Sequence, residues 1–256
     1  MRNSMIMKRR LVTALLTLLI VPVVSQTAFA QALTAEQVVE KHLAALGGRE
    51  ALTKITTRKA TGVMVISTPM GDLSGPLEMT AKAPNKMRAD IKVDLSAMGA
   101  GEMVMVQLFD GATGWSLNSM QGDTPLAGDQ LESQKNNFFP TPLLKYKELG
   151  QTIALQPREK INGKDTYVIL VTPKAGPPMR MCFDPDTFLM VRSVSPINTP
   201  QLGPTEQISE PSDYRAVDGV KVPFFIAQSA GGQNITLKFT KIEHNVPIAD
   251  ALFVKK

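Results

Sequence analysis

The strictest constraint in this chain is a ten-residue run in its first half. From Lys86 to Leu95 the apolar residues Met87, Ala89, Ile91, Val93 and Leu95 alternate without a break with Lys86, Arg88, Asp90, Lys92 and Asp94. A helix would scatter those apolar side chains around its circumference. An extended strand puts all five on one face and the charges on the other, so the segment reads as a strand with one dry and one wet side. Leu77, Met79, Ala81 and Ala83 alternate in the same way with Glu78, Thr80 and Lys82, and Pro84-Asn85 between the two runs reads as a tight turn.

The same grammar recurs along the chain. Further strands are expected near 58–67, 102–109, 113–119, 152–161, 165–173, 178–184, 187–195, 205–217, 220–230 and 233–243. Their joints carry hairpin chemistry: Asp110-Gly111, Asn162-Gly163, Asp184-Pro185-Asp186, Asp218-Gly219 and Gly231-Gly232. Successive hairpins build an antiparallel meander, because parallel neighbours would each need a crossover of about a dozen residues.

Two regions depart from the pattern. Thr34 and Gln37 have the spacing of a capping box and precede Val39, Leu43 and Leu46 at helical intervals, with Gly47-Gly48 as the stop and a short turn from Arg49 to Ile55 after it. From Thr124 to Leu149 alternation is lost, Leu131 and Phe138 stand two helical turns apart, and Pro125, Pro140 and Pro142 punctuate the segment. Two helices, 126–138 and 141–148, are expected there, divided by the prolines. So little helix is scant cover for a sheet of about eleven strands. The expected fold is therefore mainly β: a curved antiparallel sheet forming an incomplete, half-open barrel, with helices across an apolar cavity.

The amino terminus bears on location. Lys8, Arg9 and Arg10 precede an apolar run from Leu11 to Val24, followed by Ala28-Phe29-Ala30, which is the layout of a cleavable secretory signal. The run is shorter than the ~20 residues a membrane-spanning helix needs. Cleavage after Ala30 would leave residues 31–256 as one domain in the periplasm, with no permanent membrane span. It also changes the charge balance. The formal charge of +5 comes from 28 basic and 23 acidic residues, and residues 1–30 hold four of the basic ones and no carboxylate, leaving 24 against 23. The apparent basicity belongs to the signal, and nucleic acid is excluded as a partner.

The search for chemistry is nearly empty. There is no nucleophile elbow, zinc-protease helix, phosphate loop or calcium loop, and nothing implies a metal or a cofactor. The two histidines, His42 and His244, have no second ligand or carboxylate pair at useful spacing and read as structural. Cys182 lies in the apolar run Met179–Phe183 and reads as a buried, inert thiol. The pattern points away from an enzyme. What remains is an excess of methionine within strands, suited to a wall that accepts variable apolar ligands, although methionine fills ordinary cores as readily. The candidate cavity lining is Met79, Met87, Ile91, Met105, Met181 and Met190 from the strands, with Leu131 and Phe138 from the interrupting segment.

Four segments together carry a resemblance. His42–Leu52, Lys82–Arg88, Phe109–Trp115 and Asn245–Phe253, in this order and spacing, resemble exported proteins of the LolA-like, outer membrane lipoprotein-sorting superfamily. The resemblance implies an incompletely closed barrel of eleven strands with a helical lid. It also implies an apolar cavity that shields lipid or lipoprotein acyl chains between two membranes without catalysis. The chain departs from the pattern at Ala83, where carriers tend to have a basic residue, and in its proline-rich 124–149 segment. It reads as a divergent relative. The expected function is that of a non-enzymatic periplasmic carrier or binding protein for acyl chains. The alternative is an envelope sensor or interaction module that binds a protein partner with the same fold.

Overall fold

The computed structural model describes residues 33–69, 71–96, 99–199 and 203–256. The expected signal segment and its expected cleavage point after Ala30 lie outside the described residues.

The chain enters through α1 (Ala35–Ala45) and α2 (Arg49–Lys54) and then runs as a meander through β1 (Thr57–Thr68), β2 (Gly71–Lys82), β3 (Lys86–Asp94), β4 (Glu102–Phe109), β5 (Gly114–Asn118) and the two-residue β6 (Thr124–Pro125). A linker containing α3 (Gly128–Asn136) leads to a second meander. This comprises β7 (Thr152–Ile161), β8 (Lys164–Thr172), β9 (Met179–Phe183), β10 (Met190–Thr199), β11 (Gly203–Val217), β12 (Val220–Ala230) and β13 (Gln233–His244). All thirteen strands form one sheet in the order β6-β5-β4-β3-β2-β1-β13-β12-β11-β10-β9-β8-β7, every neighbouring pair antiparallel. The first and last strands of the sequence therefore pair at its centre. The edges, β6 and β7, are consecutive in the chain yet lie at opposite ends of the sheet, so the sheet is not closed and the linker must travel from one edge to the other.

The expected antiparallel, unclosed sheet is what the chain forms, with thirteen strands where about eleven were expected. Asn162-Gly163 and Asp218-Gly219 each place both residues at positive φ (50° and 81°, 50° and 79°), the geometry of the two-residue turns their sequences predict. The Asp184 turn is held by its own carboxylate, which accepts from the backbone N–H of Asp186 and Thr187. Burial works against that charge, but these N–H groups and the Lys164 ammonium outweigh it and hold Asp184 down to about 2.

The expected helix 141–148 does not form. Pro142–Leu144 makes a single 3₁₀ turn, and Lys145 leaves helical geometry at φ −128°. Pro142 in the first turn removes no helical bond. The segment is pinned from outside instead, by Phe139 N–H on Pro84 O and the Arg49 guanidinium on Leu144 O, and before Gly150 (φ 66°) ends it a single i→i−4 bond forms, from Leu149 N–H to Lys145 O. The helix expected at 126–138 is shorter, ending at Asn136.

One face of the sheet, the inner face, carries the core. α1 starts on a full capping box, with the Gln37 N–H donating to Thr34 Oγ1 and the Thr34 N–H to Gln37 Oε1. It buries Val38, Val39 and Leu43 completely, each worth about 1.5–3 kcal/mol. Its end is fixed by a close approach. Gly47 sits at φ 125°, where a Cβ would lie 2.4 Å from the Gly219 carbonyl oxygen, and Lys221 N–H donates to Leu46 O. Only glycine permits both the conformation and the contact. Against α1 pack Leu143 and Leu144 of the linker and Ile169, Met181, Phe183, Val220, Phe239 and Ile242 of the strands, in one continuous cluster.

The opposite face is covered in part by the carboxyl-terminal segment. Phe253 is fully buried, Arg88 donates to Leu252 O, Asp250 pairs with Lys82 and Lys86, and Lys255 pairs with Asp123 while its ammonium stands 3.9 Å from the Trp115 ring centre.

A cleft under the linker as the candidate functional site

The linker crosses the inner face tied at points far apart in the sequence. Phe139 N–H donates to Pro84 O in the β2–β3 turn, Asn136 Nδ2 to Ala175 O in the β8–β9 loop, and the Arg49 guanidinium to Leu144 O. α3 itself buries no residue and has no side-chain cap. It is suspended over the sheet rather than packed into it.

Beneath residues 137–140 lies a cleft of about 260 Å³. Its floor comes from the two central strands and their neighbours: Ala60 on β1, Met79 and Ala81 on β2, Val222 and Ile226 on β12, Phe239 and Ile242 on β13. Phe138, Phe139 and Pro140 form the opposite wall, and Asn85, Lys86, Met87 and Asn137 are among the other lining residues.

Three of the sequence-predicted lining residues, Met79, Met87 and Phe138, meet at this cleft. The others are elsewhere. Met181 is part of the buried core, and Ile91, Met105 and Met190 pack half-buried against that core. Leu131 rests on α3, away from both the cleft wall and the core cluster. It parts from Phe138 because the helix that was to carry both ends two residues before Phe138.

Sequence reasoning missed the cation that lies between the apolar floor and wall of the cleft, Arg58. Arg58 shares the inner face with Ala60 and lines the cleft. Its Nε–H donates to His244 Nε2 at 3.0 Å, and its guanidinium lies 5.2 Å from the centre of the Phe139 ring. Burial pushes Arg58 down to about 10. His244 is buried on β13 with Nδ1 3.5 Å from Asp218 Oδ2, a long contact that leaves Nδ1 short of a full hydrogen bond. Burial first and the Arg58 charge second pull His244 down to about 4, against the opposing pull of Asp218. The signal for Arg58 was available: in a strand at 58–67, Arg58 and Ala60 must share a face.

His42 is a core residue. Its Nδ1–H donates to Phe188 O at 2.9 Å, its ring is 4.7 Å from that of Phe183, and burial lowers it to about 4. Cys182 is fully buried, and desolvation raises its thiol to about 11. Among the described residues no three His, Cys, Asp or Glu side chains are grouped to hold a metal ion, and no helix is long and apolar enough to cross a membrane.

The unclosed antiparallel sheet, with a linker crossing its inner face over an apolar cleft, is a fold that this chain shares with several solved structures. Among solved structures the chain is similar to a LolA superfamily protein from Nitrosomonas europaea, with TM-score 0.55, 14% identity, and 88% of this chain and 99% of that one covered. A domain described as outer membrane lipoprotein-sorting from Vibrio parahaemolyticus gives TM-score 0.55 at 10% identity over 86% and 95% of the two chains. A DUF1329 family protein from Desulfovibrio piger gives 0.55 at 14% over 87% and 98%. At such identities the likeness is one of fold. No protein-family model matches the sequence, and no curated protein matches it.

Proposed function

We propose that the mature protein is a non-enzymatic periplasmic carrier or binding protein for acyl chains of lipids or lipoproteins. The observation that carries this reading is the apolar cleft between the linker and the central strands, in a fold shared with lipoprotein-sorting proteins. Transfer of each CH₂ from water into such a cleft is favourable by about 0.8 kcal/mol, so no catalytic group is needed to take up a chain. The suspended α3 and the 137–140 wall are the parts that can give way to a longer tail without unpacking α1. The secretory layout of residues 1–30 supports a periplasmic location. Purification of the exported protein followed by lipid extraction and native mass spectrometry tests the reading: a bound or bindable acyl chain is expected. Protein that is empty and takes up neither fatty acid nor lipoprotein rejects it.

The cleft's size favours one second reading. Pockets for whole small ligands usually span about 300–1,000 Å³, and about 260 Å³ holds part of a lipid rather than all of one. An envelope interaction module would use the same surface for a side chain of a protein partner. Co-purification of one stoichiometric protein without lipid would select this alternative.

A further inference from the structure

Arg58 is an unusual occupant of an apolar wall. A charge removed from water is costly unless it is paired and hydrogen-bonded, and among the described residues no carboxylate lies within ion-pair distance of this guanidinium. Its Nε–H is used on His244. No acceptor within the chain is found for Nη1 or Nη2 among the described residues. The nearest acid of this group, Asp218, is separated from it by the His244 ring, whose Nδ1 it approaches. The cleft lining includes a second cation, Lys86, and no carboxylate. Lys86 already has a counter-ion in Asp250, so Arg58 is the one cation of the lining without an ion pair among the described residues.

From this geometry we infer that the ligand of the cleft is a single-tailed amphiphile with an anionic head, its carboxylate or phosphate oxygens held by the free edge of the Arg58 guanidinium and its chain laid against Met79, Ala81 and Phe239. The inference rests on the acyl-chain reading above and adds the head group to it. A guanidinium presents two parallel N–H donors that match two oxygens of either anion. Phe139 and His244 hold that fork in place before the ligand arrives: the ring stands over the guanidinium and the imidazole fixes Nε. The head would therefore meet a donor that is already oriented and partly desolvated.

The test is calorimetric titration of the exported protein at pH 7.5 with dodecanoate, dodecyl phosphate, dodecanol and dodecyltrimethylammonium, each as monomer. At least one anion is expected to bind about tenfold or more tightly than dodecanol, the scale of a hydrogen bond to a charged group, and the ammonium amphiphile more weakly than dodecanol. The tighter of the two anions identifies the head group. Arg58→Met, which keeps the wall apolar, is expected to abolish the preference for the anions over dodecanol. Equal affinity of the wild type for dodecanol and both anions overturns the inference while the acyl-chain reading stands. Undiminished anion binding by Arg58→Met overturns it as well. Failure of every chain to bind overturns both. The comparison among ligands needs only the wild type, so it decides the matter even if the variant does not fold.

Discussion

Arg58 and His244 meet nitrogen to nitrogen, with Arg58 Nε–H donating to His244 Nε2 at 3.0 Å, so the imidazole is neutral and carries its proton on Nδ1, toward Asp218. A second proton would have to enter at Nε2, against a guanidinium. His42 resists protonation for a simpler reason, burial in the core, and both rings sit near 4 instead of 6.5. Between those values the unfolded chain takes up protons that the native state refuses, so stability falls as the pH is lowered through 6.5 and this contribution levels off below about 4. Above pH 7 the two histidines contribute no slope. Urea midpoints measured from pH 8 down to 5, above the main carboxylate range, should decline with a slope approaching about 1.4 kcal/mol per pH unit for each histidine. His42→Gln and His244→Gln should each remove part of it. A flat profile in the wild type would contradict the burial of both rings. Carboxylates such as Asp184, held near 2, add their own loss only at lower pH.

Much of this fold is legible in the sequence because alternation and turn chemistry are local signals. The expected limits of the strands at 102–109, 152–161 and 220–230 are those of β4, β7 and β12. The failures have tertiary causes. Gly71–Pro76, a stretch of turn-forming residues, belongs to β2 because β1 offers it a full ladder, with Val63 opposite Pro76 and Val65 opposite Ser74; pairing overrides propensity there. β6 has two residues and no periodicity to detect. At the cleft, the methionine signal reached Met79 and Met87 but could not separate them from Met181, since one inner face supplies both core and cavity wall. Which part of that face is left uncovered depends on the path of the linker, and the path is set by hydrogen bonds to residues as remote as Pro84 and Ala175.

Gly62 marks a place where the sheet's geometry leaves no space. It follows a register shift between Thr61 and Gly62 in the β1–β13 ladder, and a Cβ there would stand 2.2 Å from the Lys238 carbonyl oxygen and 2.8 Å from Phe239 Cα. Both obstacles are backbone and cannot rotate away. Gly62→Ala should cost about 1–3 kcal/mol of stability, the range of an overpacked site. Gly101→Ala, whose Cβ would meet nothing within 4 Å, should be close to neutral. Chemical denaturation of the two variants side by side checks the difference. Equal stability of the pair would mean that β1 and β13 are not held this closely.

Cys182 provides a reporter of opening from inside the sheet. It is fully buried beside Val168, and its thiol is raised to about 11, so the native protein should present almost no reactive thiolate. Ellman's reagent at pH 8 should label unfolded protein within minutes and native protein only at the rate at which this region opens. Added acyl ligand should slow that labelling only as far as it stabilises the folded state. Prompt labelling of native protein would place the thiol at the surface, contrary to the structure.

The residues expected to line a cavity divide into three groups, and each group should fail in its own way when altered. Met79 forms the floor of the cleft and Phe138 part of its wall. Met79→Gln puts an amide into that floor and Phe138→Ala removes apolar contact, so both should weaken binding of a twelve-carbon chain several-fold with modest loss of stability, burial of chain surface being worth roughly 25 cal/mol per Å². Met181 is 3% exposed within the core. Met181→Ala should cost about 2–5 kcal/mol of stability, yet the variant that remains folded should bind the chain as the wild type does, because its side chain does not line the cleft. Leu131 touches neither, so Leu131→Ala should leave affinity unchanged and stability within about 0.5 kcal/mol. Paired measurements of affinity and denaturation midpoint on the four variants separate these outcomes. If Leu131→Ala weakened binding as much as Phe138→Ala, the chain would be reaching under α3, and the binding site would extend beyond the cleft along the full length of the linker.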